Sequence, residues 1–385
     1  MMMYCNVCFL PSTKPDLYFN ENGICAACIA YKERKVVNWA QREKEFGEII
    51  EKTRAKSRSK WDCIIPVSGG KDSTAQVLKI LEHKLNPLCV TATTCDLSDL
   101  GRKNIENIKN LGVDYMEFSP NPLVRRKLNK IGLVEVGDIS WPEHVGIFTI
   151  PVRAAVQFGV PLIIWGENSQ NEYGGPASAQ SNNVLNRRWL EEFGGLLGLR
   201  VSDLSDSYGI RDIDLIPYSY PTDEELTRVG VTGLFLGYYF PWDGFTNYSL
   251  AKANGFTSFG KIIEGSIVDY ENLDNHQTGI HDYFKFLKFG FGRATDLVSI
   301  SLRRGKITRQ KGLELIKQHD GKYPWSYLDK SLESILKRID LTTEEFDKIC
   351  DRFTNKGLFL KNNSGELLRD SSNSLIKVNY ENLEA

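Results

Sequence analysis

Residues 61–73 read Trp61-Asp62-Cys63-Ile64-Ile65-Pro66-Val67-Ser68-Gly69-Gly70-Lys71-Asp72-Ser73. The first seven form a short apolar run, which predicts a buried strand. Ala75, Val77, Leu78, Ile80 and Leu81 then follow at helical spacing. A glycine-rich turn therefore joins a strand to a helix N-terminus. Two glycines let the backbone approach an anion, and the first N–H groups and the dipole of the helix favour one. Ser68 and Ser73 add hydroxyl donors, and Lys71 adds positive charge at the rim.

The turn is not a Walker A loop, because the lysine is followed by aspartate rather than Ser or Thr. An acid in a phosphate loop repels the ligand unless a cation intervenes, so Asp72 points to Mg²⁺ on the phosphates. Outward from the loop, strands are expected at 61–67, 87–93, 114–118 and 161–165. Helices are expected after the loop and at 102–111, 123–130 and 143–157. This alternation predicts an α/β fold with a parallel sheet covered on both faces. Ligands in such sheets lie beyond the C-terminal strand ends. Residues 68–73, 93–101 and 166–176 belong at that edge.

The rest of the chain bounds the answer. Its 385 residues suggest two or three domains. Apolar residues make up 41% and charged residues 25%, as in an ordinary globular protein. The run 229–242 has fourteen residues without a charge, and a membrane span needs about 18 to 20. The first residues lack the basic and apolar regions of a signal peptide, so a cytoplasmic protein is expected. The net charge of −1 argues against a dedicated nucleic-acid binder. Residues 285–317 nevertheless hold nine Lys or Arg against Asp296 and Glu314. They are either solvated helix faces or a seat for phosphate groups.

Of eight cysteines, Cys5 and Cys8 are spaced C-x2-C, and Cys25 and Cys28 repeat the spacing after sixteen residues. Two such knuckles close a tetrahedral four-thiolate site for structural zinc, with no position open for catalysis. Gly23 stands before the second knuckle, where a turn needs positive φ. The expected organisation is a zinc module over 1–35, a helical linker over 36–60, an α/β domain over 61–270 and a mainly helical region over 271–385. Helices are expected at 327–338 and 343–353, and the last twenty-odd residues as a tail or short hairpin.

Ser68-Gly69-Gly70-Lys71-Asp72-Ser73 resembles the PP-loop of the ATP pyrophosphatases, which include asparagine and GMP synthetases and tRNA thiolation enzymes. These enzymes cleave ATP to AMP and pyrophosphate. Further segments narrow the resemblance: the cysteine pairs, Gly101-Arg102, Trp141-Pro142-Glu143-His144, the Gly166-Glu167-Asn168 segment and Gly290-Phe291-Gly292-Arg293. In this order they resemble the bacterial N-acetyl sugar amidotransferases of surface-polysaccharide (O-antigen, lipopolysaccharide) synthesis.

That resemblance implies ATP-dependent conversion of an acetamido group to an acetamidino group on a nucleotide-linked N-acetyl sugar. Ammonia would come from a separate glutaminase partner. Ser68, Gly69, Gly70, Lys71, Asp72, Ser73, Thr93 and Gly166 are the candidate ATP contacts, with Asp72 holding Mg²⁺. Lys71, Asp72, Glu167 and His144 are the candidate catalytic groups, and Arg102, Trp141, Glu143, Asn168, Glu172 and Tyr173 the candidate substrate contacts. The C-terminal helices could form a homodimer or dock a partner. Three alternatives stand beside this reading. One is tRNA 2-thiolation, for which Cys95 is the only candidate sulfur group. The others are a non-catalytic nucleotide-binding module and an amidotransferase with a different acceptor.

Overall fold

A computed structural model describes residues 2–57, 59–168, 172–175, 184–185 and 197–378. Six strands form one sheet: β1 (Cys63–Pro66), β2 (Pro87–Ala92), β3 (Asp114–Phe118), β4 (Leu162–Trp165), β5 (Val184–Leu185) and β6 (Thr232–Phe235), in the order β3-β2-β1-β4-β6-β5. All neighbours are parallel except β5, which runs antiparallel to β6 at one edge. The chain is thus α/β, as expected from the alternation. The strand order reverses at β1, between β2 and β4, and β1 is the strand that feeds the glycine turn.

Alternation along β1 divides the core. Cys63 and Ile65 pack with Val77 and Ile80 of the Lys71–Glu82 helix, while Ile64 packs with Ile150, Val152 and Ala155 of the Trp141–Phe158 helix. Successive strand residues face opposite sides, so both sheet faces are buried. The charged segment at 36–60 is more than a linker. Its helix Trp39–Lys56 starts at an Asn38 cap and buries Phe46 and Ile50 against the first of these clusters. Arg54 at its end forms a two-pronged pair with Asp62 at 2.7 and 3.0 Å.

A second core gathers the C-terminal helices around Phe284, Phe286, Leu336 and Phe346. The helix expected over 327–338 is instead a hairpin of Ser326–Tyr327 with Lys330–Ser331, followed by a short helix Leu332–Lys337. Leu328 and Asp329 take positive φ of 49° and 64°, the two-residue turn geometry that reverses a strand. The helix Thr343–Phe353 forms as expected, with a capping box at Thr342 and Glu345. Paired bridges between 359 and 377 give the tail hairpin-like pairing, and 379–385 lie outside the described residues. No helix among the described residues is long and apolar enough to cross a membrane.

Cys5, Cys8, Cys25 and Cys28 are all buried, and their four sulfurs lie within 4.8 Å of one another. Gly23 has φ +68°, as the second knuckle requires. Amides of Val7 and Cys25 point at the Cys5 sulfur at 3.4 and 3.3 Å, as amides do around metal thiolates. The four sulfurs fit a zinc ion. The module packs on the C-terminal region through Phe291, and Ser299 donates to the Cys8 carbonyl.

Metal binding should therefore hold residues 2–34 in place, because so short a segment buries little apolar surface without it. Cys25→Ser should lose zinc from this site and lose amide-exchange protection in the module while the sheet stays protected. A variant that keeps both its zinc and its protection would contradict this.

Candidate active site at the phosphate loop

β1 ends at Pro66, and the Lys71–Glu82 helix begins four residues after Val67. Gly69 sits at φ +88°, and a Cβ there would lie 2.9 Å from the Ile105 amide nitrogen, so both conformation and space demand glycine. Gly70 caps the helix without a side-chain hydrogen bond, which leaves first-turn N–H groups for an anion. The hydroxyls brace the turn: the Ser68 amide donates to Ser73 Oγ at 3.1 Å, and the Gly70 amide donates to Ser68 Oγ at 3.3 Å.

Lys71 is 6% exposed. Its Nζ lies 2.7 Å from Asp72 Oδ2 and 2.9 Å from Glu271 Oε1. Burial works against its charge, but Asp72 and Glu271 outweigh it and hold the ammonium well above the usual lysine range. Asn247, on the Gly244–Ala253 helix, donates to the other Asp72 oxygen at 2.8 Å. The loop opens into a cavity of about 280 Å³ lined also by Glu167, Tyr173, Asp274 and Arg293. A second lobe of about 290 Å³ shares Lys71, Asp72, Glu167 and Tyr173 and ends at Arg304 and Lys306. Residues 270–274, on both sides of the expected domain boundary, line the first lobe.

Carboxylates crowd this cleft. Burial, then the neighbouring Glu172 and Asp72, push the Glu167 carboxyl up to about 8. Burial pushes Asp274 up to about 6. Arg293 stays charged despite burial because Asp282 faces it, at 3.4 Å. Arg304 bridges Glu172 and Asp243, each at 2.5 Å. A polyphosphate entering here meets more acids than free cations. Asp72 and Glu271, which share the Lys71 ammonium, offer hard oxygens of the kind that suits Mg²⁺.

Of the residues singled out in the sequence, 68–73, Glu167, Glu172 and Tyr173 come together at this cleft. Residues 169–171 and 176 of the expected loop lie outside the described residues. The others are placed elsewhere. Thr93 accepts from Arg125, and Arg102 makes a two-pronged pair with Glu117 at 2.7 Å. Trp141 is fully buried in an apolar cluster with Leu128 and Tyr218. Glu143 is buried, accepts from the Cys95 amide at 3.1 Å and from Asn129 at 2.7 Å, and is pushed up by burial. Gly166 packs against Trp242, and Asn168 is buried beside the cleft-lining Glu167.

His144 bonds Asp138 at 3.0 Å, with His281 on the other oxygen at 2.8 Å. It is not brought to the loop cavity. Cys95 is buried, its thiol is pushed up by burial, and Arg338 lies against it.

Glu271, Asn247, Arg293 and Arg304 were not singled out as site residues. The run Asp269-Tyr270-Glu271-Asn272-Leu273-Asp274-Asn275 packs five acids and amides into seven residues, more densely than the five in eleven of 166–176, and was the readable signal. Arg293, Arg304 and Lys306 come from the basic stretch at 285–317, so part of it does face the cleft. Of its other members, Lys285 pairs locally with Asp296 and Lys311 with Glu314, while Lys288 and Arg309 donate to distant carbonyls at Val136 and Asn6. Asn247 carried no signal.

Comparison with known proteins adds three likenesses. Residues 245–371 match the family model described as LPS biosynthesis protein WbpG-like, C-terminal domain. An uncharacterized protein of Methanocaldococcus jannaschii is 34% identical over 116 residues, which is 29% of this chain. The match spans 40% of that protein's length. Among solved structures, the NMN synthetase of Francisella tularensis is similar at 12% identity with a TM-score of 0.28, covering 58% of this chain and 98% of that one. At that distance it says nothing of the reaction.

The raised Glu167 carboxyl carries a pH signature. A folded-state value of about 8 against an ordinary 4.5 means that the folded chain holds a proton the unfolded chain has released. The stability this lends is complete below about 4.5 and is lost as pH rises through about 8. Glu167→Gln should therefore flatten the decline in melting temperature across that window and raise it most at the alkaline end. An unchanged slope in calorimetry would place the proton elsewhere.

Proposed function

We propose that the chain is an ATP-dependent amidotransferase that converts the acetamido group of a nucleotide-linked N-acetyl sugar into an acetamidino group, for lipopolysaccharide synthesis. The observation that carries the reading is the continuity of the two lobes. The phosphate loop opens on one side, and a second chamber begins at the same Lys71, Asp72, Glu167 and Tyr173. Two substrates could thus meet beside the α-phosphate. The match of residues 245–371 to a lipopolysaccharide-biosynthesis domain supports the biological setting.

An amide carbonyl is a poor electrophile, so its oxygen must be made a leaving group. In the proposed reaction that oxygen attacks the α-phosphorus and pyrophosphate departs. Ammonia then adds to the carbon, and AMP leaves with the oxygen, so NH replaces O. Ser68, Gly69, Gly70 and Ser73 cradle the departing pyrophosphate, and Lys71 stabilises charge gathering on the α-phosphate. Asp72, with Glu271, would hold Mg²⁺, which supplies charge neutralisation on the phosphates. Glu167, once ionised as pH rises through about 8, can take the proton that ammonia loses as it adds. Holding both reactants in one cleft supplies much of the remaining rate. The ammonia source in this proposal is a separate glutaminase.

A substrate carrying heavy oxygen in its acetamido carbonyl should give labelled AMP, unlabelled pyrophosphate and a sugar about one dalton lighter than the unlabelled precursor, as NH for O requires. ADP with phosphate, or unlabelled AMP, would overturn the route. A sugar unchanged in mass after ATP turnover with ammonia would overturn the reaction.

A further inference from the structure

Away from the phosphate loop, three elements bring Asp138, His144 and His281 together. Asp138 follows a π-helical turn, Gly132–Val136, at the foot of the Trp141–Phe158 helix. His144 lies in the first turns of that helix, and His281 in the first turn of the Thr278–Phe289 helix. Both imidazoles turn the same atom, Nδ1, toward one carboxylate, at 3.0 and 2.8 Å, one on each oxygen. The ring centroids are 4.9 Å apart, with the planes at 75°. The three donor atoms lie within 4.8 Å of one another.

The carboxylate has few ways to be satisfied otherwise. Asp138 is 3% exposed, and an unpaired buried charge costs several kcal/mol. The neighbouring ammonium, Lys288, bonds instead to the carbonyls of Val136 and Gly137 at 2.7 and 3.0 Å. The other charged groups facing His144 are Glu143 and Asp282, both acids. The pocket thus calls for a cation. The Ser140 amide donates to Asp138 Oδ1 at 2.9 Å, the kind of supporting bond that orients a metal-bound carboxylate. Both imidazoles remain partly exposed, at 28% and 29%, which gives an ion a way in and leaves positions open to water. π-turns are rare and gather at functional sites.

We propose that Asp138, His144 and His281 form a second metal site, for a divalent first-row transition ion, distinct from the four-cysteine site. Two imidazoles and one carboxylate make a borderline donor set that suits Zn²⁺, Co²⁺ or Fe²⁺ better than Mg²⁺ or Ca²⁺. On binding, the ion takes the place of the proton at each Nδ1, and each ring keeps one at Nε2. The residue after His281 is Asp282, which faces the cleft-lining Arg293 at 3.4 Å. An ion here would fix the start of the Thr278–Phe289 helix and, through Asp282, the seat of Arg293.

Titrating Co²⁺ into the full chain with zinc already in its cysteine site tests this directly. One further equivalent should bind, with the weak visible bands of nitrogen and oxygen ligation and no thiolate charge-transfer band. His281→Ala and Asp138→Asn should each weaken that equivalent by about 100-fold, while cysteine-bound zinc stays in place. His281 is partly exposed, so its variant should fold even if Asp138→Asn does not. Absence of saturable Co²⁺ uptake would overturn the site, as would uptake that persists in His281→Ala. Neither result depends on the reaction proposed above.

Discussion

The Lys71 ammonium, buried at the first turn of its helix between Asp72 and Glu271, ties the phosphate loop to the chain segment that closes over it. Charge buried in this way is stable only with its partners. Removing both would leave an uncompensated ion at a cost of about 3–5 kcal/mol. The arrangement also spends the lysine. Its charge is already matched by two carboxylates, and Glu167 and Asp274 stand in the same cavity. The loop has the backbone of an anion site and the side chains of a cation site. Both hold together if phosphate and a divalent ion arrive as one ligand.

This constraint also orders the chemistry in space. Lys71 and Asp72 line both lobes of the cleft, so a polyphosphate seated at the loop lies next to whatever occupies the chamber reaching Arg304. Arg304 is held by Glu172 and Asp243. Glu172 belongs to the segment after β4, and Asp243 caps the Gly244–Ala253 helix that brings Asn247 to Asp72. The two lobes therefore share their supports, and a shift in one alters the other.

Much of this was legible in the sequence where the signal is local. The turn at 68–73 announces itself by glycines between a strand and a helix, and β3 falls on the expected residues because its bounds are set by turns. The cysteine spacing gives the four-sulfur cluster directly. Long-range pairing was not legible. Arg102 looked free but is taken by Glu117, and Trp141 and Glu143 serve a buried cluster rather than the cleft. His144 has a partner 137 positions along the chain, in His281, through their shared Asp138. Glu271 reaches Lys71 across 200 residues, and nothing in its neighbours' spacing encodes that. The hairpin at Leu328 and Asp329 was missed because two residues without glycine adopt positive φ.

The claim on which the rest stands is that phosphate and a divalent cation occupy the loop together. Calorimetric titration of ATP, in metal-free buffer and with Mg²⁺, tests it most directly. The account predicts binding at least about 100-fold tighter with Mg²⁺, consistent with neutralising the acids that crowd Lys71. It also predicts that Asp72→Asn erases most of that difference without unfolding the chain. Equal affinity with and without Mg²⁺ in the native protein would contradict it.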